Sequence, residues 1–231
     1  MTDIDNDSRE VDSRLKSESL TEEIPDKIIR RLPHYYVQLK YMMKKDIEYV
    51  SSEQLAKIMG FSSSLIRRDL SHFGQFGKKS YGYDVHCLYE NLQQILGFGY
   101  EKTMIIVGAG FLGRALANNK SYSERGYILK GIFDKDPAII GLEFNDIKVM
   151  DIELAPDFIS EHEVDVAALA VPAESAQETA DMLVNAGIKG IWDFTETPVE
   201  VPGNIILIEQ NMNDGLCKIS CKLVQKRQSP S

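Results

Sequence analysis

The sequence predicts an α/β chain in two folded parts: a small helical unit, then strands alternating with helices, closed by one last helix. Three observations predict it. A short apolar strand, residues 102–107, runs directly into a glycine-rich turn and a helix. A second strand further on ends in an acid at the spacing such turns demand. Upstream, two short helical patterns meet at a turn containing glycine.

The bulk properties bound this reading. A chain of 231 residues holds one large domain or two small ones, and 43% hydrophobic residues suffice for a core. No apolar run is long enough to cross a bilayer. The first residues are acidic and polar, unlike a secretory signal. Cys87, Cys217 and Cys221 lack metal-ligand spacing and suit a reducing compartment, so the chain is expected to be cytoplasmic. The net charge of −9 is unevenly spread. Residues 1–23 carry −5, residues 24–90 carry +4, and residues 91–231 carry −8. The basic middle segment is the part that suits nucleic acid.

The expected organisation follows from these patterns. Residues 1–23 read as a disordered acidic tail. Residues 24–83 form the helical unit, and 84–98 a connecting helix with Asp84 as its N-cap and Leu88, Leu92, Ile95 and Leu96 on one face. Residues 99–209 alternate strand and helix, and 210–231 hold the last helix and a tail.

The glycine turn reads Gly108-Ala109-Gly110-Phe111-Leu112-Gly113, a GxGxxG pattern. Gly108 permits the tight turn, Gly110 lets backbone approach a pyrophosphate, and Gly113 lets helix and strand pack closely. The helix that follows offers free N–H groups to phosphate. The strand Tyr127 to Phe133 then ends in Asp134, 21 residues after Gly113, where a carboxylate accepts ribose hydroxyls. An acid there favours NAD over NADP, and Lys135 beside it tempers the preference. The segment is read as a Rossmann-type NAD(P)-binding domain with NAD(H) as its cofactor. The plain alternative is a glycine turn without ligand, with Asp134 capping its strand. A third strand, Val164 to Val171, ends at Pro172, and a later one, Gly190 to Phe194, at Thr195. Val171, Pro172, Phe194 and Thr195 are candidates for the nicotinamide side, or ordinary strand-end packing. His34, His72 and His86 precede this domain, and His162 is expected in the middle of a helix. None of the four stands at the end of a core strand as a proton donor would, so the nucleotide reads as a signal and the chain as a non-enzyme.

In the helical unit, Ser51-Ser-Glu-Gln54 fits a capping box. The helix it opens places Leu55, Ile58 and Met59 on one face, and Gly60 ends it. A second helix runs from Ser63 to about Phe73, with Ile66, Leu70 and Phe73 inward and Ser64, Arg68 and Ser71 outward, Arg67 on the flank. Small hydroxyls and an arginine suit a groove of duplex DNA. Lys57, Ser62 and Ser63 adjoin that face, and Lys78, Lys79 and Tyr81 suit a hairpin wing on phosphate. A small helical domain with a charged face is the plainer alternative.

Taken together these residues resemble the bacterial redox-sensing repressor family Rex. The resemblance rests on Arg30-Arg-Leu-Pro33 with Tyr35, on Ser62-Ser-Ser-Leu-Ile-Arg67-Arg68-Asp69-Leu-Ser71, and on Phe76-Gly77-Lys78 leading to Gly82-Tyr83-Asp84-Val85. It continues through the glycine turn, Phe133-Asp134-Lys-Asp-Pro137 and Val171-Pro172-Ala173, over roughly residues 24 to 225. It implies a homodimer whose winged helices bind double-stranded operator DNA and which NADH releases. It also implies a last helix swapped onto the partner subunit. Met212, Leu216, Ile219 and Leu223 make one apolar stripe there, widened by Cys217, Cys221 and Val224, which asks for burial on more than one side; simple docking on its own domain is the alternative. Family members carry an acid where Asn211-Met212 stands here, so the redox switch is expected to be altered. A small NAD-dependent oxidoreductase with a helical appendage, and an NAD-binding DNA regulator with a weakened switch, are the competing readings.

Overall fold

The computed structural model describes residues 24–73, 77–78 and 82–228. The chain divides into two compact units, with the boundary between Gly99 and Tyr100. The expected acidic tail lies outside the described residues.

The N-terminal unit begins with α1 (Asp26–Ile29) and α2 (Leu32–Met43), the latter with proline in its first turn. Leu32, Tyr35, Leu39 and Met42 recur at helical spacing along α2, and all are buried. After β1 (Tyr49–Val50), α3 (Ser52–Met59) opens on both halves of the capping box. The Gln54 N–H donates to Ser51 Oγ at 3.1 Å, and the Ser51 N–H to Gln54 Oε1 at 2.7 Å. Gly60 stops the helix at φ 70°, and Ser62 caps the next one, α4 (Ser63–Ser71). Ile66, Leu70 and Phe73 point into the core as expected.

A three-stranded sheet closes the unit, in the order β1-β3-β2, from β2 (Gly77–Lys78) and β3 (Gly82–Asp84). Strands β2 and β3 are antiparallel, with Lys78 opposite Gly82. This is the hairpin that a winged helix requires. Helix α5 (Val85–Ile95) follows at once, its N-cap Asp84 accepting the Cys87 N–H at 3.0 Å. Val85, Leu88 and Leu92 are buried in the same core as Leu39 and Ile66. The segment expected to connect the domains is thus part of the first one, because its apolar face completes that core. Ile58 departs from expectation in the other direction. It is 53% exposed, since α3 turns only Leu55 fully inward.

The second unit is a seven-stranded sheet in the order β10-β9-β8-β4-β5-β7-β6. Its strands are β4 (Lys102–Val107), β5 (Tyr127–Asp134), β6 (Glu143–Phe144), β7 (Ile147–Asp151), β8 (Val166–Leu169), β9 (Gly190–Asp193) and β10 (Ile206–Glu209). Every neighbouring pair is parallel except β6 with β7. The last two form a hairpin whose turn residues, Asn145 and Asp146, have φ of 52° and 62°.

Helices cover both faces, so β4 has no solvated side and reads as a continuous apolar run. Ile105 and Val107 pack with α7 (Ala155–His162) and α8 (Ala173–Asn185) on one face. Met104 and Ile106 pack with α6 (Phe111–Ala117) and Tyr122 on the other. His162 is the last residue of α7, not a mid-helix residue, because Glu163 takes a left-handed conformation and ends the helix. Strand β8 is shorter than expected, and the last helix, α9 (Asp214–Gln228), starts three residues beyond Asn211. Asn211 instead closes a turn, its Oδ1 accepting the Asn213 N–H at 2.8 Å.

Candidate nucleotide-binding site and nucleic-acid interface

The order of the parallel strands reverses its direction of growth at β4. From there β5 and β7 extend one way, and β8, β9 and β10 the other. Ligands bind such sheets beyond the carboxyl ends of the strands at that point. A crevice of about 560 Å³ lies there, lined by Gly108, Gly110, Phe111, Leu112, Asp134, Lys135, Val171, Pro172 and Thr195 among others. Of the residues expected to hold the cofactor, only Ala109 and Gly113 stand outside its lining. Ala109 is fully buried and Gly113 is turned into the fold.

The three glycines have different local reasons. At Gly108, φ is 98° and a Cβ would stand 2.3 Å from the Ala170 carbonyl oxygen. At Gly113 a Cβ would stand 1.8 Å from the Gly108 carbonyl oxygen. Gly110 is different: a Cβ there meets nothing within 4 Å. The fold itself therefore requires glycine at 108 and 113, whereas at 110 the freedom faces the open crevice.

Asp134 ties the turn to the second strand. Its Oδ2 accepts the Ala109 N–H at 2.6 Å, and its Oδ1 accepts the Asp136 N–H at 2.9 Å. Both the strand-end cap and the crevice position expected of this acid are thus present in one side chain. Arg114 braces the same turn from behind, with Nε donating to the Ala109 carbonyl at 2.8 Å. Lys135 reaches across the crevice and donates to Ser175 Oγ at 3.0 Å. Sequence reasoning missed Arg114, Ser175 and Glu196. The arginine directly after the GxGxxG pattern was the one available signal.

Thr195 stands at the end of β9. Its N–H donates to Asp193 Oδ1 at 2.8 Å, while its buried hydroxyl has no hydrogen-bond partner. Glu196 follows with φ 57°. Both line the crevice. No group of three or more His, Cys, Asp or Glu side chains fit to hold a metal occurs among the described residues.

In the N-terminal unit, α4 presents Ser64, Arg67, Arg68 and Ser71 outward, all exposed, and Lys57 is exposed on α3. Ser62 Oγ caps the helix through the Leu65 N–H at 3.2 Å and lies 3.1 Å from Ser64 Oγ. Ser63 is half-buried. Ser71 donates to the Arg68 carbonyl at 2.8 Å. Arg67 is held against α3, its Nη1 donating to Ser52 Oγ at 2.9 Å and Glu53 Oε1 at 2.8 Å. Hydrogen bonds from the Glu53 backbone N–H and from that guanidinium hold the Glu53 carboxyl below its usual range. Lys78 lies in the hairpin, and Lys79 and Tyr81 lie outside the described residues.

Helix α9 leaves its stripe uncovered. Met212 just before it, and Leu216, Ile219, Leu223 and Val224 on it, are all more than half exposed, as are Ile206 and Ile208 on the edge strand β10. No described helix is long and apolar enough to cross a membrane.

Comparison with known proteins agrees with both halves. A family described as "Putative DNA-binding protein N-terminus" matches residues 23–71, and one described as "CoA binding domain" matches residues 100–197. The redox-sensing transcriptional repressor Rex of Thermoanaerobacter sp. (strain X514) is 45% identical over 196 residues, 85% of this chain and 88% of that protein. The repressor of the same name from Clostridioides difficile (strain 630) is 39% identical over 84% of this chain and 92% of its own. Among solved structures, RSP in complex with β-NAD⁺ and operator DNA matches with a TM-score of 0.83 at 42% identity, over 90% of this chain and 95% of that one. RSP in complex with β-NADH matches with a TM-score of 0.84 at 41% identity, over 90% of this chain and 97% of that one. The chain accordingly belongs to the Rex family of redox-sensing transcriptional repressors.

Proposed function

We propose that the protein is a repressor that binds operator DNA as a homodimer and leaves it when NADH occupies the crevice. The observation that carries this reading is the crevice itself. It lies at the point where the strand order reverses, with Gly110 open to it and an acid, Asp134, at the end of the second strand. An acid in that position accepts ribose hydroxyls and disfavours a 2′-phosphate, which selects NAD(H). Gly108, Gly110, Phe111, Leu112, Asp134, Lys135, Val171, Pro172 and Thr195 would hold the cofactor. In the N-terminal unit, α4 would enter the major groove with Ser64, Arg68 and Ser71 toward the bases, and the hairpin with Lys78 would meet phosphate. RSP, a solved relative, was captured with operator DNA and NAD⁺ and, separately, with NADH. The exposed stripe of α9 and the exposed edge strand β10 supply apolar surface for a second copy.

The experiment is a titration of a palindromic AT-rich duplex with the full chain, with and without NADH. The expected result is tight binding that NADH weakens. No binding at modest salt would overturn the regulator, and turnover of NADH with simple carbonyl compounds would favour an oxidoreductase. One observation favours a weaker switch as the second reading. Asn211 carries no charge and spends its side-chain oxygen on its own turn. The acid that the resemblance implies at this place would make a charge-assisted bond of about 1–2 kcal/mol, which an uncharged Asn211 does not. Duplex binding that ignores NADH would mark that case.

A further inference from the structure

We propose that Glu196 is a positioning residue that links the nucleotide crevice to the C-terminal helix through Asn213; this rests on reading the crevice as the NAD(H) site. The link begins at Thr195, whose buried hydroxyl has no partner while its backbone is fixed by Asp193 at 2.8 Å. A buried hydroxyl left without a partner is a group that a ligand atom satisfies. The next residue, Glu196, lines the same crevice in a left-handed conformation, φ 57°, which long side chains rarely adopt. Its carboxylate is fastened at the other end: Asn213 Nδ2 donates to Oε1 at 2.9 Å and to Oε2 at 3.0 Å. Asn213 in turn belongs to the start of α9. Its carbonyl accepts the Cys217 N–H at 3.0 Å, and its own N–H is held by Asn211 Oδ1.

Three short contacts therefore join the crevice wall to the helix whose apolar stripe is uncovered. A ligand that engages Thr195 changes the restraint on the backbone of Glu196. Relaxation of that residue out of the left-handed region withdraws its carboxylate from Asn213 and frees the first turn of α9. Residue 196, held left-handed here, would thereby gain a second backbone state that both sites bias, as coupling requires.

The test compares full-length wild-type protein with E196A, E196Q and N213A. NADH affinity is read by titration calorimetry, and affinity for the palindromic AT-rich duplex by anisotropy with and without NADH. The expected result is NADH affinity within about threefold of wild type in N213A, whose side chain lies outside the crevice lining. The ratio of duplex affinities without and with NADH should fall by about fivefold in E196A and N213A, the lower end of typical allosteric coupling, while E196Q keeps most of it by retaining a bond to Asn213. Asn213 is exposed in a turn, so N213A tests the link even where E196A folds poorly. An unchanged ratio in N213A would overturn the proposal, and so would a loss of NADH affinity in N213A, which would make the link part of ligand binding rather than of coupling. Failure of the wild-type chain to bind NADH would overturn the crevice reading itself.

Discussion

Asp69 of α4 and Arg31 at the start of α2 form a two-pronged ion pair, with Nε to Oδ2 at 2.6 Å and Nη2 to Oδ1 at 2.7 Å. Asp69 is almost wholly buried, and Tyr35 completes its coordination at 2.9 Å. The residue lies on the helix proposed to enter DNA, so the pair sets that helix against α2. Removing one partner of a buried pair strands the other charge and costs about 3 kcal/mol. Asp69→Ala is therefore expected to lower the unfolding free energy of the N-terminal unit by about that amount. Denaturant unfolding measures it, and a loss below about 1 kcal/mol would place the pair among weak surface contacts.

The same cluster gives a pH dependence. Burial, and then the bond to Asp69, push the Tyr35 hydroxyl above its ordinary range, and the bond to Asp69 raises Arg31 as well. A group whose folded value is raised stabilises fully below its unfolded value and loses that contribution as pH climbs. For a tyrosine the unfolded value is about 10. Stability of the N-terminal unit should hold from neutral pH to about 10 and decline above it. Tyr35→Phe should flatten the alkaline limb. Melting curves between neutral pH and pH 11 that leave the two proteins parallel would contradict this.

Much of this was legible in the sequence because the signals were local. The capping box at Ser51, the stop at Gly60 and the turn from Gly108 to Gly113 are each fixed by a few adjacent residues, and each forms as spacing requires. What was not legible came from contacts between distant residues. Arg31 with Asp69, Lys135 with Ser175, and Glu196 with Asn213 join positions that only the folded chain brings together. Helix α5 looked like a connector because its amphipathic stripe does not say which core it completes. Ile58 shared the period of Leu55, yet that periodicity does not fix how wide the buried face is.

The glycines separate folding from ligand binding. Gly113→Ala puts a methyl group against the Gly108 carbonyl at 1.8 Å, so it is expected to destabilise the second unit by roughly 2 kcal/mol. Gly110→Val enters open space in the protein and is expected to fold normally, yet to abolish NADH binding by crowding a pyrophosphate. Duplex binding should survive in Gly110→Val. Calorimetry with NADH and a melting curve, run on both variants, separate the two effects; retained NADH affinity in Gly110→Val would move the pyrophosphate elsewhere.

The two arginines of α4 should differ. Arg67 is already committed to Ser52 and Glu53, whereas Arg68 stands on the outer face with Ser64 and Ser71. Arg68→Ala is expected to cost roughly 1–3 kcal/mol of duplex binding and to narrow the gap between the palindromic duplex and random DNA. Arg67→Ala should cost less, and should also free Glu53, whose carboxylate then repels phosphate. Competition binding against random-sequence DNA reads both. Equal losses from the two substitutions would mean that Arg67 leaves Glu53 on binding DNA.

Helix α9 gives the sharpest test of assembly. Leu216 and Ile219 are 62% and 56% exposed on one stripe of a 15-residue helix, an exposed apolar patch of the kind that marks an interaction surface. Burying that stripe in a second copy would remove both from solvent, and a charge placed there would have to be desolvated to keep the interface. Leu216→Asp is therefore expected to shift the protein from dimer to monomer in light scattering after size exclusion. Since two half-sites of a palindrome bind together through the dimer, the monomer should also lose most of its duplex affinity while retaining a folded N-terminal unit. A Leu216→Asp protein that stays dimeric would place the interface on another surface, such as the edge at Ile206 and Ile208 alone.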